Sequence, residues 1–302
     1  MPAAGGKSVA LASLFMAVAA AAFPARCAPA SSLADTGLDA GYRCLYNLEF
    51  DRAHEVFRDW NRLHPQDPLA PASDAAAYLF SELDRLHVLQ SELFVDDEKF
   101  EHRKRLTPDE HVRAAFETAL EQAESLSRRI LAQSPGDANA LFADVLAFGL
   151  RADYTALIEK RNFASLRYMK SGRMLAERLL SLDPSYYDAY LAIGVENYIL
   201  SLRPAPVRWL LRAGGAETDK REGIEKLQLT ADKGHYLQPY ARLLLAVSAM
   251  RDKDFVRTQE LLAGLARQFP HNPLYRRELD RLRSKMAAAR SSSADGNAHQ
   301  SR

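Results

Sequence analysis

An all-α superhelix of stacked helix pairs, a solenoid with lengthened helices and inserts, is the fold class this chain predicts. Three observations lead there. One spaced pattern, small-x3-large-x2-apolar-x4-Pro, occurs as Ala53/Phe57/Trp60/Pro65, Ala123/Ser127/Ile130/Pro135, Gly172/Ala176/Leu179/Pro184 and Thr258/Leu262/Leu265/Pro270. Turn-forming residues follow each proline: Gln66-Asp67, Gly136-Asp137, Ser185 and His271-Asn272. Proline disfavours the helical state of its predecessor, and Asp, Asn or Ser can cap the next helix. Apolar spacing is helical throughout, and no segment alternates like a strand.

Residues 1–30 are expected to be a signal peptide. Lys7 supplies a positive n-region, Val9 to Phe23 form an apolar run, and Ala28-Pro29-Ala30 offers a small-x-small cleavage site. The run falls short of the about 20 residues a membrane span requires. Arg26 precedes Cys27 where a lipobox wants a small residue. Cleavage after Ala30 would deliver the protein to the periplasm or the medium; retention as an uncleaved anchor is the other outcome.

The chain has 40 basic and 39 acidic side chains, and cleavage would remove only Lys7 and Arg26 among them. That balance argues against nucleic acid as a partner, since a basic stripe is its electrostatic footprint. Only Cys44 would remain of two cysteines, so an internal disulfide is excluded and packing must supply stability. Among Tyr42, Leu45, Tyr46 and Leu48, Cys44 reads as a small buried hydrophobe.

The folded region is expected over 31–289. A degenerate unit fills 69–107, with one long helix from Ser73 to Leu93, a charged stretch, and a new helix capped by Thr107 ahead of Pro108-Asp109-Glu110. The best first helix follows Pro184, as Tyr190-x2-Ile193-Gly194-x2-Asn197, with Gly194 where facing helices must approach. Leu141-x2-Asp144-Val145 and Arg242-x2-Leu245-Ala246 are weaker versions of that frame. The uneven intervals between the signature prolines imply lengthened helices or insertions. Pro273 to about Ala289 reads as a polar terminal helix, and 290–302 as a disordered tail.

In these registers the chain resembles bacterial exported tetratricopeptide-repeat (TPR) proteins over residues 40–289, the second-helix A-x3-F…P signature belonging to a unit of about 34 residues. The resemblance implies a right-handed superhelix of about four to five helix pairs. It also implies a non-enzymatic scaffold that holds another protein or a peptide in a concave groove. The family's Lys/Asn clamp for a C-terminal carboxylate is absent, because only Asn139 and Arg251 are of clamp type at the groove positions. The groove is apolar instead, with Leu191, Val195, Tyr198, Leu243 and Val247 as contacts and Glu196, Asn197 and Arg251 as orienting groups. The alternative is that the chain's own inserted segments fill it.

Residues 203–221 form the most distinctive insert. Pro204 or Pro206 can open a short helix, Trp209, Leu210 and Leu211 give it apolar bulk, and Gly214-Gly215 end it. One reading docks Trp209 and the leucines onto the groove while Arg203, Arg208 and Arg212 snorkel to solvent. The other lays the basic and apolar helix on a membrane surface.

No catalytic constellation is legible, and the chain is not expected to be an enzyme or to carry a cofactor. His54-Glu55 opens like a metalloprotease helix, but Arg58 stands where the second His would be. No other His or Cys has ligand spacing, and no Ser sits in a G-x-S-x-G elbow. Oligomeric state is left open by the sequence.

Overall fold

The computed structural model describes residues 37–89, 106–203, 205–213, 215–216 and 218–300. The expected signal peptide and the charged stretch 94–105 lie outside them. Among the described residues there are twelve α-helices and no strand. They are α1 Gly37–Tyr46, α2 Phe50–Leu63, α3 Leu69–Arg85, α4 Glu110–Gln133, α5 Ala138–Asp153 and α6 Asn162–Leu182. Then follow α7 Tyr190–Ser201, α8 Ala205–Ala213, α9 Lys220–Lys233, α10 Gln238–Arg251, α11 Phe255–Gln268 and α12 Pro273–Gln300. Each helix packs chiefly on its sequence neighbour, except that α7 pairs with α9 and leaves α8 outside the stack. The result is five helix pairs and a terminal helix, a packing consistent with a helical solenoid.

The repeated pattern is the core. Ala53, Phe57, Ala123, Ser127, Gly172, Ala176, Leu179, Thr258, Leu262 and Leu265 are all buried. The residue before each signature proline ends its helix in one extended conformation, with φ from −126° to −138° and ψ from 66° to 93°. In all four, its amide donates to the third signature residue: His64 to the Trp60 carbonyl, Ser134 to Ile130, Asp183 to Leu179 and Phe269 to Leu265, at 2.7–2.8 Å. Its carbonyl then accepts from the amide of Asp67, Asp137, Tyr186 or Asn272.

A fifth copy lies in α9. Gly223, Leu227 and Thr230 are buried in the same register, and the Gly234 amide donates to the Thr230 carbonyl at 2.8 Å. His235 stands there in place of proline, which hid the unit and made the interval from Pro184 to Pro270 look like an insertion. First helices share an ending too. Leu48, His87, Lys160 and Lys253, beyond α1, α3, α5 and α10, are the described non-glycine residues with positive φ, from 56° to 62°. The first helix without such an ending is α7, which the α8 insert follows.

Two boundaries differ from expectation. Asp109, not Thr107, caps α4, its carboxylate accepting from the His111 and Val112 amides at 2.8 and 3.2 Å. The helix expected to reach Leu93 ends at Arg85, where the Val88 amide turns back to the Leu83 carbonyl. At the other end α12 continues to Gln300, past Ala289.

The stack closes on itself. The Tyr42 ring of α1 lies on Tyr236 of the α9–α10 turn, with centroids 4.7 Å apart and planes 28° from parallel. The Tyr46 hydroxyl donates to the Tyr236 carbonyl at 2.8 Å, and the Asn272 side-chain amide to the Tyr46 carbonyl at 2.9 Å. His235 pairs with Asp39 at 2.6 Å, and His271 with Glu49 at 2.5 Å. On the inner face three first helices meet. Phe80 of α3 packs edge-on against Tyr240 of α10, whose hydroxyl is 3.4 Å from the Asp153 carboxylate of α5.

Candidate functional site

The Pro184 unit supplies most of the groove residues read from the sequence, and its own packing absorbs most of them. Gly194 and Gly223 bring α7 and α9 into backbone contact. A Cβ on Gly223 would stand 2.6 Å from the Tyr198 amide nitrogen, and one on Gly194 would stand 2.9 Å from that of Leu227. At that separation the side chains beside Gly194 turn into the stack. Leu191 is buried and Val195 partly so. Asn197 is 0% exposed; its Oδ1 accepts from the Asp219 amide at 3.0 Å and its amide nitrogen donates to the Ile193 carbonyl at 3.3 Å. Asn197 thereby fixes the end of the insert.

Glu196 is equally buried, 3.3 Å from the Arg173 guanidinium of α6. Arg173 also pairs with Glu177 at 2.5 Å and donates to the Gly215 carbonyl at 3.1 Å, tying the insert to α6 and α7. Tyr198, 2% exposed, is set beside Ser248, and burial pushes its phenol up. These positions are therefore core and not open groove. Leu243, Val247 and Arg251 of α10, like Val195, stay only partly buried.

What fills the inner face is not the insert. Asp188, a groove position of the same unit, is buried, and its carboxylate accepts from the amides of His235, Tyr236 and Leu237 at 2.9–3.1 Å. It caps the turn that carries Tyr236 onto Tyr42. Burial raises the Asp188 carboxyl although the three amides oppose it. Burial likewise pushes the Asp153 carboxyl up to about 7, against its bond with Tyr240.

The insert points the opposite way from the docking expectation. Trp209 is 73% exposed and Val207 is exposed as well. Two arginines bond groups beside the helix, and Arg212 stays exposed. Arg208 donates to the carbonyls of Ser201 and Arg203 at 3.3 and 2.9 Å, and Arg212 to the Thr218 hydroxyl at 2.5 Å. Arg203 and Leu211 are partly buried, and the side chain of Leu210 lies outside the described residues. The helix ends in a Schellman turn. The Ala216 amide reaches the Leu211 carbonyl, the Gly215 amide reaches that of Arg212, and Gly215 takes a φ of 81° that favours glycine.

A second exposed stripe escaped the sequence reading. Phe163, Arg167, Lys170 and Met174 share one face of α6, and all four are exposed. Their spacing of four, three and four was the available signal. Elsewhere, His54 Nδ1 lies 2.5 Å from Asp74 under the Tyr78 ring, and burial pushes the Cys44 thiol up. No helix of the described residues is long and apolar enough to cross a membrane. Comparison with protein-family models, curated proteins and solved structures returns no match.

Proposed function

We propose that this chain is a non-enzymatic, TPR-like superhelical scaffold of the cell envelope, exported by its N-terminal segment, that holds another protein. The observation that carries this reading is the second-helix ending built alike in four copies, whose amide bond to the third signature residue recurs in α9 without the proline. Stacked helix pairs of this kind offer extended surface rather than a reaction centre. With the inner face occupied by Tyr236 and Tyr240, the contact is assigned to α10, where Leu243, Val247 and Arg251 keep accessible surface.

A photo-crosslinker at Val247 in cells tests this. A discrete adduct with a second protein is the expected result. Adducts confined to the chain itself, with the same outcome at Leu243, would overturn it.

A further inference from the structure

Charge in this chain is balanced overall but not evenly placed. From Lys160 to Ala176 there are lysines and arginines and no acid, and from Ile199 to Ala213 there are arginines and no acid. The fold joins the first segment to the chain at Gly215, two residues past the second. The Lys170 ammonium stands 3.5 Å from where a Cβ on Gly215 would be, and Arg173 holds the Gly215 carbonyl. On these segments stand the two most exposed aromatic side chains among the large hydrophobics, Phe163 at 87% and Trp209 at 73%, with Met174 at 57%.

Single exposed apolar residues need no explanation. Here, however, each is interleaved with exposed cations, Arg167 and Lys170 on α6 and Arg212 on α8. Phe163 lies about 10 Å along α6 from Lys170. Trp209 is also held outward: the backbone bonds of Arg208, the Thr218 bond of Arg212 and the Schellman turn at Gly215 fix the helix that carries it.

We propose that this face, formed by Phe163, Arg167, Lys170, Met174, Trp209 and Arg212, docks on the surface of an anionic phospholipid bilayer. The aromatic rings and Met174 enter the headgroup boundary, where amphipathic aromatic side chains are favoured, and the cations meet lipid phosphates. A protein partner of acidic character would answer the same charge, but it would leave the outward aromatic rings without a hydrophobic phase. The proposal goes beyond the scaffold reading and does not depend on which protein α10 holds.

Vesicle co-sedimentation of the protein as recovered from cells tests it, using phosphatidylglycerol/phosphatidylcholine vesicles against phosphatidylcholine alone. The expected result is binding to the anionic vesicles that weakens at high salt, with a blue shift in Trp209 emission. Trp209→Ser and Phe163→Ser should each lower partitioning about tenfold, and Arg167→Glu with Lys170→Glu by more. These positions are exposed, so the variants keep the fold, and an unchanged thermal melt verifies it. Any contribution of the apolar run Val9 to Phe23 is common to all variants and cancels in the comparison. No binding, equal binding to neutral vesicles, or variants that bind like the parent would each overturn the proposal. A protein adduct at Val247 without vesicle binding would retain the scaffold reading and remove this one.

Discussion

The Arg173 guanidinium stands 3.3 Å from the Glu196 carboxylate in the contact between α6 and α7, and both side chains are buried. A buried pair of this kind is weak evidence of net stabilisation, because both ions lose water. Removing Arg173 takes this positive charge from the buried Glu196 carboxylate. Arg173→Ala should therefore cost about 3–5 kcal/mol in urea unfolding. It should also speed amide exchange over 215–219, because the bond to the Gly215 carbonyl goes with it. Unchanged stability would mean that water reaches the Glu196 carboxylate.

Glycines in this stack fall into two classes with opposite expected signs. A Cβ at Gly223 meets the backbone of α7 at 2.6 Å, so Gly223→Ala should destabilise by about 1–3 kcal/mol. Gly149 and Gly264 have nothing within 4 Å of the same point. There Gly→Ala should stabilise by about 0.5–1 kcal/mol through helix propensity. Chemical unfolding of the three single variants decides it.

Left-handed residues end four first helices, and none of them is glycine. Lys253 has a φ of 60° and is exposed, so little packing is lost on truncation. Lys253→Gly should raise stability by about 1 kcal/mol, by relieving a conformation that costs an L-residue about 1–2 kcal/mol. A fall in the melting temperature would refute the assignment of strain there.

Asp153 makes the interior pH-sensitive. Burial lifts its carboxyl to about 7, well above its unfolded value. A raised acid binds its proton more tightly in the folded state, so its penalty is absent below the unfolded pKa. The penalty grows as pH rises and is complete above the folded pKa. Asp153→Asn should stabilise at pH 8, by on the order of 3 kcal/mol, and be close to neutral near pH 4. Urea unfolding at the two pH values checks both sign and window.

End-to-end closure rests largely on Tyr236. Tyr236→Ala removes the ring under Tyr42 while leaving the Tyr236 carbonyl for Tyr46. Amide exchange should then quicken in α1 and in the α11–α12 turn, with α4 to α6 unchanged. Uniform exchange across the chain would mean that the ends do not open as a unit.

The repeat units were legible because their signals are local. A residue before proline cannot stay helical, an Asp two residues on can cap, and the small signature residue fits only where helices cross closely. The α9 unit was missed when His235 replaced the proline, although Gly223, Leu227 and Thr230 keep the register. The groove assignment of Tyr198, with Glu196 and Asn197 beside it, follows the repeat register and helix periodicity. Periodicity gives a face, and it does not say which neighbouring element covers that face.

By itself the sequence determined that the chain is helical, where most helices stop, and which small residues lie at their crossings. Each of these follows from the backbone chemistry of residues a few positions apart. Only the tertiary structure decided that the inner face is closed and that Trp209 points outward while Arg208 turns back to the Ser201 and Arg203 carbonyls. The closing contacts join residues 190 to 226 positions apart, such as Tyr46 to Tyr236 and to Asn272. Their formation depends on the summed curvature of the whole stack, which no local spacing records.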